Sequence, residues 1–308
     1  MSNLKSLFEV EAQLFTSIIA KIKDNLVCNK FFLKCTFMLN FICSPIGNLN
    51  DISMRSISLL EAVDFIYAED TRNTNKLLSK FNINKKSKSF HEHNEIKITP
   101  KIIEQLNAGF EIAVISDAGA PCISDPGYFL SQECIRNNLD FTVLPGPSSV
   151  INALILSGIS SNTFSFKGFF PRKKNTQIEM MHYLARINEA VVFFESAKRI
   201  ESTINIFAEY LSLDRKIVLC REMTKKYEEI TRDSVENLHT KIKNNELTLK
   251  GEFVIVVEGN QKNNINLNFS NKIKELYLEH LPAKDAAKLI AALSNQNKRE
   301  VYKWLIDK

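Results

Sequence analysis

Carboxylates and small residues recur at the ends of short apolar runs in this chain. Those are the positions from which an α/β sheet presents chemistry to a ligand. The run at 39–43 leads into Ser44-Pro45-Ile46-Gly47-Asn48-Leu49, and the run at 63–68 into Glu69-Asp70-Thr71-Arg72. The run at 111–115 leads into Ser116-Asp117-Ala118-Gly119-Ala120-Pro121, followed by Ser124-Asp125-Pro126-Gly127. Residues 141–144 end in Pro145-Gly146-Pro147-Ser148-Ser149, residues 190–194 in Glu195-Ser196, and residues 216–220 in Arg221-Glu222. Gly47, Gly119, Gly127 and Gly146 either let the backbone approach a ligand closely or simply end their strands. Asp117 suits ribose hydroxyls or a cationic group, or else caps a helix. His91 and His93 project to one side of an extended chain, which permits a metal. No third ligand is spaced with them, so no metal is expected. A hydrogen-bonding RNA surface or a helix start fits that segment better. Ser148 and Ser149 lack the G-x-S-x-G elbow of a hydrolase, and neither a P-loop nor G-x-G-x-x-G is written anywhere.

The elements that must position these residues follow from composition and periodicity. With 308 residues, 44% hydrophobic and 24% charged, the chain can bury a full core and is not mainly disordered. A net charge of +5 permits an anionic partner such as RNA. The six cysteines include no C-x-x-C pair, which fits a reducing cytosol. Glu9 and Glu11 stand where a signal peptide needs an apolar core. The apolar stretch 31–46 is broken by Lys34 and Asn40 and is too short for a bilayer. A soluble, cytoplasmic protein with no membrane partner is expected. Buried strands alternate with helical patterns from 39 to about 260, which predicts an α/β class with two domains, 38–160 and 161–260. Residues 1–37 are an extension, either helical or not translated, with Met38 the favoured start. Residues 261–308 read as an Asn-rich linker and three short helices at 273–278, 283–293 and 297–306. Their Lys284, Lys288, Lys298, Arg299 and Lys303 either touch nucleic acid or form a solvated cap.

Nine blocks occur in an order that resembles the bacterial ribosomal RNA small-subunit methyltransferase I family. They are Ser44 to Leu49 with Asp51-Ile52, Ala68 to Arg72, His91 to Glu95, Ser116 to Gly119 with Ser124 to Tyr128, and Pro145 to Ser149. The later ones are Gly168-Phe169-Phe170-Pro171-Arg172-Lys173, Phe194-Glu195-Ser196, Arg221-Glu222-Met223-Thr224-Lys225 and Gly251-Glu252-Phe253-Val254. The resemblance covers about 39–308. Ala120-Pro121-Cys122 and Met223 depart from the usual pattern without removing a polar group.

The resemblance implies a 16S rRNA cytidine 2′-O-methyltransferase, acting in the decoding region, on the tetrapyrrole methylase fold. It implies two α/β domains with S-adenosylmethionine in the cleft between them, a homodimer, and 16S rRNA in the small ribosomal subunit as partner. Cofactor contacts carried over by motif are Pro45, Ile46, Gly47, Asp117, Ala118, Gly119, Ala120, Ser149 and Val150, with Glu195, Cys220, Arg221 and Glu252. Asp70, His91 and His93 (and Glu69) are the candidate proton acceptors, with Arg72 placed to hold a phosphate. Lys167, Arg172, Lys173 and Lys174 form the best basic cluster for RNA. A tetrapyrrole or corrin precursor methylase, or a non-catalytic RNA-binding assembly factor, are the alternative readings.

Overall fold

The computed structural model describes residues 39–260, 271–294 and 297–306. The N-terminal extension, the start at Met38 and the linker at 261–270 lie outside the described residues. By their contacts the described residues fall into two units, 39–45 with 49–147, and 46–48 with 148 onward.

The first unit is a parallel sheet of five strands. They are β1 (Leu39–Ile42), β2 (Phe65–Ala68), β3 (Ser87–Ser89), β4 (Ile112–Ile115) and β5 (Phe141–Leu144), in the order β3-β2-β4-β1-β5. Four helices cross over between them: α1 (Met54–Ala62), α2 (Thr71–Lys80), α3 (Glu95–Asn107) and α4 (Tyr128–Arg136). Strand alternation sorts the side chains onto two faces. Ile112 and Val114 pack with Ile102 and Leu106 of α3 and Leu130 and Cys134 of α4. Ala113 and Ile115 pack with Leu60 of α1 and Leu77 and Leu78 of α2. Burial on both faces is why these strands read as unbroken apolar runs. After β2 the chain turns outward to β3, whereas after β4 it crosses β1 to reach β5. The connections diverge between β2 and β4, and a crevice at such a divergence is where open α/β sheets bind ligands.

The second unit is a mixed sheet in the order β6-β7-β10-β8-β9. Its strands are β6 (Phe164–Phe169), β7 (Ala190–Ser196), β8 (Lys216–Arg221), β9 (Glu229–Ser234) and β10 (Glu252–Val257). Only β6 and β7 run parallel. Helices α6 (Lys174–Arg186), α7 (Ala197–Tyr210) and α8 (Val235–Lys243) share one core with this sheet. Helix α5 (Ser149–Ser157) packs in another, where Val150, Ala153 and Leu154 meet Val192, Val218 and Val256. That packing puts the seam at Pro147/Ser148, earlier than the 160/161 division expected from the Ser/Asn cluster. The C-terminal segment forms α9 (Asn271–His280), α10 (Ala283–Ser294) and α11 (Lys298–Ile306). Ala286, Ala287, Ile290, Val301 and Leu305 make a small core of their own there. No described helix is long and apolar enough to cross a membrane.

Candidate functional site

At the divergence in the first unit, the chain ends of β2 and β4 are knitted together by carboxylates. The Asp70 amide donates to Asp117 Oδ1 (3.0 Å) and Asn73 Nδ2 to Asp117 Oδ2 (3.2 Å). In return the Asp117 amide donates to Glu69 Oε2 (3.1 Å). One strand further, the backbones of Ser44 and Gly119 pair in both directions (2.8 and 3.0 Å), and the Ser44 hydroxyl donates to the Ser116 carbonyl (2.6 Å). The loops expected to hold a cofactor in this unit, Pro45 and Asp117 to Ala120, therefore form one hydrogen-bonded edge.

The electrostatics of that edge are lopsided. Burial lifts Asp125 to about 7, reinforced by the neighbouring charges of Glu69 and Asp117 and opposed by a hydrogen bond from Ser116. Burial, with Asp117 and Asp70 nearby, also raises Glu69, against the Asp117 amide. Asp70 goes the other way. It caps α2 through the Arg72 amide (2.8 Å), and the Arg72 guanidinium clasps both its oxygens. Those hydrogen bonds hold it near 2. A carboxylate so stabilised is a poor proton acceptor at neutral pH, which counts against the catalytic role expected for Asp70. Arg72 itself is exposed, at 85% of its side chain.

The histidine segment turns out to be a brace as well as a polar surface. Asn94 Oδ1 accepts from the His91 amide (2.8 Å), and the His91 and His93 rings meet edge-on at 5.9 Å. His91 Nδ1 is buried without a hydrogen-bond partner. Glu95, the first residue of α3, reaches across to accept from the Gly127 and Leu130 amides (3.0 and 3.2 Å). It thereby caps α4, whose own N-cap is Gly127 at φ 128°, with no side chain to offer. Among the described residues no group of three or more His, Cys, Asp or Glu side chains is arranged around a metal position.

In the second unit, Ile46 and Val150 lie in the core and Ser149 opens α5. Gly47 sits against the 223–225 loop. A Cβ there would lie 2.5 Å from Thr224 Oγ1, 2.6 Å from Lys225 Cγ and 2.9 Å from the Met223 carbonyl oxygen. The Asn48 amide also uses Thr224 Oγ1 as its acceptor (3.0 Å). The missing side chain at Gly47 is thus explained by protein packing before any ligand is considered.

Three side chains expected to face the cofactor are occupied within the protein. Glu195 is 2% exposed. Its carboxylate accepts from Thr203 Oγ1 (2.9 Å) and the Ser196 amide (2.7 Å) and pairs with Arg199 (3.3 Å). These contacts fasten the start of α7. Cys220 is buried among apolar residues, and burial pushes its thiol up to about 12. Arg221 is tied to Glu229 (2.9 Å) and the Lys250 carbonyl (2.7 Å). Glu252 stays exposed and pairs with Lys225 (2.8 Å). In the basic cluster, Lys167 lies over the Tyr183 ring (4.4 Å). Arg172, Lys173 and Lys174 are exposed at the start of α6, which has no acidic residue in its first turn.

Comparison with known proteins adds the decisive observation. The sequence pattern of the Tetrapyrrole (Corrin/Porphyrin) Methylases matches residues 38–239, and that of the RsmI C-terminal HTH domain matches 273–308. Ribosomal RNA small subunit methyltransferase I of Haemophilus influenzae is 39% identical over 272 residues, covering 87% of this chain and 96% of that protein. The Vibrio cholerae protein of the same name is 38% identical, covering 87% and 93%. The chain belongs to the ribosomal RNA small subunit methyltransferase I family. Membership makes it a methyltransferase. Solved structures share the fold at low identity. A diphthine synthase matches at TM-score 0.58 and 15% identity, over 71% of this chain and 89% of that one. A uroporphyrin-III-C-methyltransferase from Thermus thermophilus matches at 0.51 and 16%, over 79% and 98%.

Glu95, Asp125 and Thr224 are the residues of this family member that sequence reasoning left without a role. The signal for Glu95 was indirect, a helix opening on Gly127 with nothing local to cap it. For Thr224 no local signal existed, because its partner Asn48 lies far away in sequence, and for Asp125 the spacing to Ser116 and Asp117 does not show that the carboxyl is buried.

Proposed function

We propose that this protein transfers a methyl group from S-adenosylmethionine to the ribose 2′-hydroxyl of a cytidine in the decoding region of 16S rRNA, within the small ribosomal subunit in the cytoplasm. The observation that carries the reading is the near-full-length similarity to relatives named for small-subunit rRNA methylation. The chemistry of the donor set is consistent with the cofactor. S-adenosylmethionine carries two cationic groups, and Glu69, Asp117 and Asp125 concentrate carboxylate oxygens at the edge of the first unit. A carboxylate offers about four lone-pair positions. Asp117 commits two of them to Asp70 and Asn73, so it retains capacity for ribose hydroxyls or an amine. Ala118 is exposed and Ala120 half-buried, small apolar surfaces proposed to meet a flat ring, while the buried Gly119, paired with Ser44, is proposed to hold their loop in place. The carried-over contacts at Pro45, Ile46, Gly47, Ser149 and Val150 are proposed through their backbone and apolar surfaces.

When bound, the cofactor supplies a sulfonium methyl group that is already electrophilic. The chain must then orient a weakly nucleophilic hydroxyl and accept its proton. His91 is proposed as acceptor, because its Nδ1 has no hydrogen-bond partner and the residue lies near enough to Glu69 to influence its charge. His93 packs against the same ring. The exposed guanidinium of Arg72 and the cluster Lys167, Arg172, Lys173 and Lys174 are proposed to hold RNA phosphates. A homodimer is proposed as the working form.

The test supplies methyl-labelled cofactor and small subunits from cells lacking this gene, then maps the label. Label on one cytidine ribose is expected. Unlabelled subunits, with cofactor binding intact by calorimetry, would refute the reading.

A further inference from the structure

Helices α10 and α11 are joined by three residues, 295–297, and close a small core over Ala286, Ala287, Ile290, Val301 and Leu305. Asn297 Oδ1 accepts from the Arg299 amide (2.9 Å) and so caps the second helix. At about 100° per residue, the buried Val301 and Leu305 mark one side of α11. Taking Lys298 as the origin, Tyr302, Arg299 and Lys303 follow at about 40°, 100° and 140°, an arc that begins beside Leu305 and reaches the side opposite it at Lys303, and all four are exposed. On α10 the same arithmetic puts Lys284 and Lys288 together, exposed and away from Ala286, Ala287 and Ile290. None of these five cations makes an ion pair or hydrogen bond through its side chain among the described residues. A solvated face stabilised by its own charges would alternate signs, as i, i+4 pairs do. Asp285 stands i, i+3 from Lys288 but forms no ion pair with it among the described residues, so the cations stay unmatched beside a capped helix start, where backbone N–H groups already favour an anion. Two short helices three residues apart in sequence, the second with exposed cations in its N-terminal half, have the spacing of a nucleic-acid-reading pair.

We propose that the outer face of α10 and α11 is an RNA-docking surface. Lys298, Arg299 and Lys303 take backbone phosphates, Lys284 and Lys288 extend the track, and Tyr302 stacks on an unpaired base. The inference rests on RNA being the substrate, as proposed above.

The test measures binding of the full-length protein to a protein-free 16S rRNA fragment across a salt series, together with cofactor affinity and methyl transfer. Each phosphate contact contributes about 0.7 to 0.9 to the slope of log affinity against log salt. Replacing Lys298, Arg299 and Lys303 together by Ala should flatten that slope by roughly 2 to 3. RNA affinity at moderate salt should fall on the order of ten- to a hundredfold, and cofactor affinity should not change. All three positions are exposed, so the fold should persist. Lys298→Arg with Lys303→Arg keeps the charge and should keep the slope, separating a charge effect from a packing one. A wild-type protein that binds and methylates RNA, beside a triple variant with the same slope, would overturn this inference and leave the proposed function standing. A loss seen only on assembled subunits and absent on the RNA fragment would put a ribosomal protein on this face and also overturn it. A wild-type protein that binds cofactor but neither binds nor methylates 16S rRNA, as the free fragment or within small subunits, would defeat the proposed function, and this inference with it.

Discussion

Replacing Glu95 by Ala should weaken α4 and the loop that carries Asp125, although Glu95 touches neither proposed substrate. One carboxylate oxygen accepts from both the Gly127 and Leu130 amides, and Gly127 can supply no cap of its own. Losing a helix cap costs about 1 kcal/mol, within a range of roughly 0.5 to 2. Removing a negative charge from a helix N-terminus adds about 0.3 to 1 kcal/mol. The expected cost is therefore about 1.3 to 2 kcal/mol. Glu95→Gln keeps an acceptor oxygen and loses only the charge, so it should cost about 0.3 to 1 kcal/mol. Two linked units need not unfold as one transition, so a single melting temperature is the wrong readout. Hydrogen exchange at the amides of 127–131 reports the local opening directly. Faster exchange there in the Ala variant, and an intermediate rate in the Gln variant, is the expected order. Equal protection in all three proteins, or a Gln variant as damaged as the Ala variant, would refute the capping argument.

Gly47→Ala should destabilise the second unit by about 1 to 3 kcal/mol, as overpacking does, because the Met223 carbonyl cannot swing away as a side-chain tip can; denaturant midpoints would show it. Asp125 is protonated in the fold and ionised in the unfolded chain between about pH 4 and its folded value of about 7. The folded state therefore holds the extra proton, and stability should decline as pH rises through that window. Asp125→Asn should flatten the decline and be the more stable protein at pH 8, and parallel pH profiles for the two would contradict this. Glu195→Ala strands Thr203, the Ser196 amide and Arg199 together, and should cost about 2 to 4 kcal/mol. Cofactor affinity per folded molecule should stay level, and a calorimetric loss of tenfold or more would restore a ligand-facing role.

The six apolar runs named above, with a seventh at 252–257, are β1, β2, β4, β5, β7, β8 and β10, six of which lie at or next to the middle of a sheet. The three that escaped, β3, β6 and β9, are all edge strands. An edge has one open side and needs no unbroken apolar run. Ser87-Lys88-Ser89 and Glu229 to Ser234 are accordingly polar, and β6 is interrupted by Gly168 at φ 66° with a shift in register. The placement of these residues at strand ends was readable, since residues after apolar runs must emerge there. What each side chain does there was not. Whether Glu195 meets a ligand or Thr203, and whether Asp70 is a base or a cap clasped by Arg72, depends on geometry that no linear spacing encodes.

The grouping of 46–48 with the second unit has a consequence for synthesis and for dissection of the molecule. Ile46 fills part of a core otherwise built from residues beyond 148, and Asn48 gives its amide to Thr224. That unit is therefore completed by three residues that leave the ribosome about a hundred positions before the rest of it. During translation they must wait, exposed, until β8 and the loop after it exist. A fragment beginning at Ser148 would lack them altogether and leave a void beside Val150 and Met223. The seam at 147/148 is thus a boundary between contacts but no place to cut, and the two halves are inherited as one folding problem.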